Sequence, residues 1–276
     1  MSKQTIKVES FYMQFHAVQF DATLHNWKNN RLEVEKQISK LKLIDNDFIV
    51  LQEMTDTGWS MKLDRITGIG TLEWACGLAK KYRSWIQVGW ADRDGDRGKN
   101  CVTICSPAGE IVGTYTKVFT CNPMNENDYY ESGNELIIVD LGELAVCPSI
   151  CYDLRFPELL RPAAIKGVDV FTISSSWPHI RIAHWSLLLK ARSIENQAFV
   201  VASNRIGEDA IALWGGTSMI VSPLGEVIEE GSETNTEVIS AIIDPSIAKE
   251  WRRDFPVLED VREELIGSIK VTEITA

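Results

Sequence analysis

The sequence predicts an α/β protein with two packed β-sheets flanked by helices, and three observations carry that reading. Apolar residues switch between a period of two and a period of about 3.6 from the start of the chain, so strands alternate with helices. Ser-Pro-x-Gly-Glu stands twice between strand-like runs, at 106–110 and 222–226. Proline fixes its own φ and glycine accepts a positive one, which closes a tight turn between antiparallel strands. Finally, a β-type run climbs to Cys151 and breaks sharply into a helix start at Pro157-Glu158. Hairpins beside βαβ units require about ten to twelve strands and about five or six helices, more than one flat sheet holds comfortably.

In chain order, residues 12–20 form a first strand. Residues 24–43 follow as a helix, with Trp27, Leu32, Val34, Ile38 and Leu41 at helical spacing. A second strand covers 47–53, a helix about 72–82, and a third strand 85–90. The first hairpin pairs 100–106 with 110–117. Beyond the elbow at Cys151, a helix over 157–166 leads to a strand at 168–174, a long helix at 182–197 and a strand at 199–203. The second hairpin pairs 218–222 with 226–230, and 236–243 is a late strand. Pro148 sits inside the strand that leads to Cys151. Proline removes a ladder hydrogen bond, so a bulge or a locally unpaired strand end is expected there.

With 276 residues, 45% of them hydrophobic, the chain can bury a full core, and nothing in its composition marks an internal linker. One domain over 1–256 and a tail over 257–276 are expected. Against 28 basic residues stand 39 acidic ones, a net charge of -11 that argues against nucleic acid or an anionic membrane as partner. The longest apolar runs are strand-sized. Six cysteines lack Cys-x-x-Cys spacing and only four histidines accompany them, which disfavours a zinc site or a disulfide framework. Reduced thiols, and an N-terminus without the apolar stretch of a secretory signal, predict a cytoplasmic protein.

Chemistry concentrates at strand ends. The elbow lifts the Cys151 side chain out of the sheet edge and aims the following backbone N–H groups at whatever the thiol attacks. The competing reading is a buried, inert cysteine. Strand alternation puts Glu53 on the face of Ile49 and Leu51, and Lys117 on the face of Ile111 and Tyr115. Each charged residue thus ends an apolar stripe, unless it lies one residue past its strand in solvent. Three such groups at strand C-termini would perturb one another's pKa values. A thiol needs a base, and an attacked carbonyl needs a cation or N–H donors for its oxyanion. Glu, Lys and Cys supply those parts without histidine.

Glu53-Met54, Tyr115-Thr-Lys117 and Cys151-Tyr-Asp-Leu-Arg-Phe-Pro-Glu158, in that order, resemble the carbon-nitrogen hydrolase (nitrilase) superfamily over roughly residues 10–256. The resemblance implies a four-layer αββα sandwich and a Cys151 nucleophile, with Glu53 as general base and Lys117 as oxyanion-stabilising cation. Glu126, standing seven residues before Gly133, matches a second glutamate found in many members; Glu131, Glu135 and the shorter Asp128 are nearby competitors, and a solvated loop residue is the other alternative. Residues 176–185 and 191–197 look most like the ω-amidase branch, whose members cleave the terminal amide of 2-oxo dicarboxylic acid monoamides. Tyr152 and Trp177 are then expected beside the substrate. Arg181 is expected to grip the substrate's free carboxylate, with a structural salt bridge as its other possible role.

The segment 119–125 departs from the lysine-histidine-leucine type of sequence common after the family's lysine, and it is expected to shape the pocket. Neither metal nor organic cofactor is implied. Other substrates compatible with the same machinery are deaminated glutathione, an N-carbamoyl amine or a nitrile, and a catalytically silent binding subunit is a reading from another class. Family pairing habits imply a homodimer or a higher even-numbered oligomer. Trp185, Leu188, Leu189 and Ile194 would line the pairing helix, and the apolar tail positions Val261, Leu265, Ile266, Ile269 and Val271 would cross to the partner.

Overall fold

A computed structural model describes residues 12–262, 264 and 270–275. In chain order its strands begin with β1 (Met13–Gln19), β2 (Phe48–Val50), β3 (Trp85–Asp94), β4 (Arg97–Cys105), β5 (Ile111–Thr116) and β6 (Tyr130–Glu131). They continue with β7 (Glu135–Asp140), β8 (Ala145–Ile150), β9 (Val170–Ser175), β10 (Phe199–Asn204), β11 (Ile206–Glu208) and β12 (Leu213–Gly215). The last are β13 (Met219–Val221), β14 (Val227–Glu230), β15 (Glu237–Ile243) and β16 (Lys270–Thr275). The helices are α1 (Trp27–Ile38), α2 (Leu63–Ile66), α3 (Thr71–Tyr82), α4 (Pro157–Ile165), α5 (Ile182–Asn196) and α6 (Pro245–Asp254).

Two sheets form, in the orders β15-β1-β2-β3-β4-β5 and β14-β13-β10-β9-β8-β7-β16, and β6 pairs with β4 at the side of the first. Each is mixed: β1, β2 and β3 run parallel, as do β8, β9 and β10, while hairpins extend the edges. Phe15, Phe48, Val50, Val102 and Tyr115 of the first sheet meet Val146, Ile150 and Val201 of the second in one buried cluster. On the first sheet's other face, Val18, Ile49, Leu51 and Val88 pack under Val34 and Ile38 of α1 and Ala75 and Leu78 of α3. Leu159, Leu160 and Leu189 of α4 and α5 cover the second sheet. The layers are therefore helix, sheet, sheet, helix.

Polar bonds cross the sheet interface at buried positions, from Ser174 Oγ to the Leu51 carbonyl at 2.6 Å and from Ser203 Oγ to the Val18 carbonyl at 2.6 Å. They fix one sheet's height over the other, which apolar packing alone leaves free to slide.

Most elements lie where periodicity puts them, and the differences have local causes. The predicted 24–43 helix is shorter: Asn26 caps it by accepting the Asn29 N–H, and it stops at Ile38. The 47–53 strand ends already at Val50. Strands outnumber the expected set because short segments such as β6, β11 and β12 pair for only two or three residues, too few to leave a periodic signature. Around Pro148 the β7–β8 ladder covers only Val139–Val146 and Asp140–Ala145, so the strand is unpaired on that side, as proline requires.

The tail was expected to reach a partner subunit. In this chain β16 lies parallel to β7, from Lys270 opposite Glu135 to Thr275 opposite Asp140, and serves as the edge strand of its own sheet. Ile274 packs against the core from there. Leu265, Ile266 and Ile269 lie outside the described residues.

Candidate active site

The C-terminal ends of β2, β5 and β8 open at the same end of the sandwich. Cys151 follows β8 directly with φ at 44°, a left-handed conformation that a side chain bearing Cβ adopts only when its surroundings impose it. Asp153 imposes it here. Its Oδ2 accepts the Ile150 N–H at 3.0 Å and the Tyr115 hydroxyl at 2.7 Å, and its Oδ1 accepts the Phe119 N–H at 2.8 Å. One carboxylate thus ties the elbow to the strand and loop on either side of Lys117. Burial raises the Asp153 pKa to about 6 against Lys117 and those three donors.

Glu53, Lys117 and Glu126 are fully buried together. Lys117 Nζ donates to Glu53 Oε1 at 2.8 Å and to Glu126 at 2.8 Å (Oε2) and 3.1 Å (Oε1). Glu126 Oε2 also accepts the Cys121 N–H at 2.7 Å. Asn100 Nδ2 reaches Glu53 Oε1 at 2.8 Å and Glu126 Oε1 at 2.7 Å. Each Glu126 oxygen therefore has two donors and no lone pair to spare. Among the described residues Glu53 Oε2 has only the Ser176 N–H, at 2.9 Å, and is the carboxylate oxygen free to take a proton. Ser176 also meets the thiol, because Cys151 Sγ lies 3.8 Å from its carbonyl.

Burial drives the electrostatics. It raises the Glu53 pKa, helped by Glu126 and opposed by Lys117. Burial also opposes the Lys117 ammonium, but Glu126 and Glu53 outweigh it and hold the proton firmly. The Cys151 thiol is pushed well above its usual range by burial, with Glu53 adding to the rise. A resting thiolate is thereby disfavoured. The same burial makes the Glu53 carboxylate more basic, and Glu53 and Cys151 both meet Ser176, at its N–H and its carbonyl.

A cavity of about 260 Å³ opens onto this group, lined by Lys117, Cys121, Met124, Cys151, Tyr152, Ser176, Trp177, Arg181 and others. Tyr152, Trp177 and Arg181 stand at its wall, and so does part of the unusual 119–125 segment through Cys121, Pro123 and Met124. Arg155 and His184 also line it and were not singled out in the sequence. The Arg155 guanidinium stacks over the Trp177 ring at 4.5 Å, with Nη1 at 3.4 Å from His184 Nδ1. Among the described residues neither Arg155 nor Arg181 pairs with a carboxylate. The signal for Arg155 was its place one helical turn after Cys151 in the elbow motif. For Asn100 it was strand alternation with the buried Val102 and Ile104.

The alternation used for Glu53 fails in one respect. Ile49 and Leu51 face the helices, whereas Glu53 reaches Ser176 of the opposite sheet. Parity ends with β2 at Val50, and the chain then crosses tightly over Gly89, where a Cβ would stand 2.6 Å from the Gln52 carbonyl oxygen. Lys117 does continue the inward face of Gly113 and Tyr115, while Ile111, beyond a register shift, is exposed.

Residues 13–253 match the family model for carbon-nitrogen hydrolase. The chain belongs to the carbon-nitrogen hydrolase family. As a member it is a cysteine-dependent amidohydrolase, acting on carbon-nitrogen bonds other than peptide bonds. It is 34% identical to a 2-oxoglutaramate amidase of Bacillus subtilis over 90% of this chain and 97% of that one. It is 30% identical to the omega-amidase YafV of Escherichia coli over 79% of this chain and 85% of that one. Among solved structures, the carbon-nitrogen hydrolase superfamily protein XC1258 of Xanthomonas campestris, 26% identical, superposes with a TM-score of 0.86 over 93% of this chain and all of that one. The four-layer sandwich is the nitrilase-type fold.

Proposed function

We propose that this hydrolase releases ammonia from the terminal amide of a small 2-oxo dicarboxylate monoamide, of the 2-oxoglutaramate or 2-oxosuccinamate type. The observation that carries the reading is the cavity, with Cys151 and Lys117 in its lining and the carboxylate-free cations Arg155 and Arg181 on its walls. A guanidinium stacked on Trp177 holds its fork in a fixed plane, which suits bidentate capture of a carboxylate. The similarity to a 2-oxoglutaramate amidase and an omega-amidase supports the same substrate class.

In this mechanism Glu53 Oε2 takes the Cys151 proton as sulfur attacks the amide carbon. The oxyanion is held by the charge of the Lys117 ammonium and the Tyr152 backbone N–H. Collapse breaks the carbon-nitrogen bond, and Glu53 returns its proton to the departing ammonia, leaving a thioester. Glu53 then deprotonates a water that attacks the thioester, and the thiol is restored as the acid leaves. Glu126, with its lone pairs filled, orients Lys117. No metal or organic cofactor enters any step.

A cavity of about 260 Å³ with two cations on its walls suits a short acid amide. A nitrile or an N-carbamoyl amine makes less use of two free guanidinium groups. We place the enzyme in the cytoplasm, as a homodimer. Ammonia release from 2-oxoglutaramate, succinamate, deaminated glutathione and simple nitriles tests the proposal. A preference for the carboxylated short amides is expected, and preference for an uncharged nitrile contradicts it.

A further inference from the structure

We propose that Asn100 is a positioning residue, whose amide clamps Glu53 and Glu126 on either side of Lys117 and thereby sets how readily Glu53 takes the thiol proton. Its place in β4 gives it three simultaneous holds. Its backbone carbonyl accepts the Lys117 N–H at 2.8 Å, and its two amide hydrogens go one to each glutamate. The orientation of the amide is fixed by its neighbours, since the flipped form would set an oxygen against two carboxylate oxygens. Asn100 Oδ1 is buried and has no hydrogen-bond partner among the described residues. A buried carbonyl without a protein partner is a cost that an apolar residue of the same size would avoid, so the two amide hydrogens are what this side chain contributes here.

Their effect follows from charge counting. Two carboxylates share one ammonium, and the amide hydrogens supply the missing positive partial charge. Lys117, Glu126, Cys151, Cys121 and Tyr130 are the titratable groups that face Glu53. Among the described residues only Lys117 and Asn100 donate to its Oε1. Removing the Asn100 donor leaves the Glu53 carboxylate less stabilised, which raises its pKa further. The base form is then populated only at higher pH, so the acid limb of kcat/KM moves up. Lys117, no longer braced symmetrically, loses alignment toward the oxyanion.

The inference rests on Glu53 acting as base. Its test uses the full-length enzyme, with Asn100→Ala, Asn100→Asp and Cys151→Ala assayed side by side on 2-oxoglutaramate. For Asn100→Ala the expected result is a roughly 10- to 100-fold loss of kcat with KM changed less than about threefold. Its acid limb should move to higher pH, both in kcat/KM and in the rate of Cys151 alkylation by iodoacetamide. Asn100→Asp is nearly isosteric, and its new carboxyl donates only while it holds a proton. Activity of that variant should therefore decline as pH rises, where the parent holds a plateau. A loss of kcat with the parent's pH limb and a lowered Tm would mark Asn100 as merely structural and overturn the proposal, as would failure of both variants to fold. If Cys151→Ala is dead while Asn100→Ala matches the parent, only the role of Asn100 falls. If Cys151→Ala stays active, the underlying mechanism falls first.

Discussion

At the scale of single residues, the two glutamates differ in their lone pairs: among the described residues Glu53 Oε2 keeps one without a donor and Glu126 keeps none. Cys151→Ala and Cys151→Ser should abolish turnover with the fold intact, read by ammonia release and circular dichroism. Lys117→Ala should lower kcat far more than it changes KM, because the oxyanion exists only after attack, and one oxyanion donor is typically worth about 3 kcal/mol. Lys117→Arg should not restore it. A planar fork cannot replace an ammonium seated between Glu53 and Glu126 at 2.8 Å each, and near-parent activity would show Lys117 acting only as a distant charge. Arg155→Gln should act the opposite way, raising KM for 2-oxoglutaramate at least tenfold while sparing a neutral amide. Equal effects on both substrates would remove the carboxylate-gripping role.

At the scale of elements, Asp153 couples the elbow after β8 to the end of β5 through Tyr115 and Phe119. Its carboxyl, at about 6 in the folded chain against an ordinary 3.8, gains a proton as pH falls through that value and loses acceptor capacity toward its three donors. The buried Tyr115 should report this as an ultraviolet difference signal centred near pH 6, absent in Tyr115→Phe and in Asp153→Asn. A flat response in the parent would show that the pair does not titrate there. The elbow was legible in the sequence because a β-type run, a cysteine, a short turn through Tyr152 and Asp153 and then Pro157-Glu158 follow in close succession. Lys117 was legible because its strand keeps parity to its last residue. Glu53 was found for an incomplete reason, since β2 stops at Val50 and the tight crossing at Gly89 turns the chain before the glutamate. Asn100 and Arg155 were missed, since their roles depend on which partners two sheets and a loop bring within reach, and no periodicity encodes that.

At the scale of the whole molecule, two sheets contribute different parts to one site: Glu53, Asn100 and Lys117 from the first, Cys151 and Ser176 from the second. Two packed sheets flanked by helices were readable from alternation and hairpins and the four-layer αββα order from the family resemblance, whereas short edge strands and the parallel docking of β16 beside β7 were not. For assembly, α5 offers Leu187 at 67% and Ile194 at 53% exposure, while Trp185 and Leu189, expected on the pairing face, turn into the subunit's own core. We propose pairing through Leu187 and Ile194, so Leu187→Glu with Ile194→Glu should sediment as a monomer where the parent is a dimer. A form ending at Pro256 reports the tail's share. Unchanged sedimentation of the double variant would move the interface elsewhere.

The central claim is that Cys151 cleaves the amide of a small substrate held by its far carboxylate. The measurement that meets it most directly is ammonia release from 2-oxoglutaramate and from an uncharged amide of equal length, by the parent and by Cys151→Ala. The account predicts strong preference of the parent for 2-oxoglutaramate and no release by the variant from either compound. Release by Cys151→Ala at the parent rate, or a parent that prefers the uncharged amide, would contradict it.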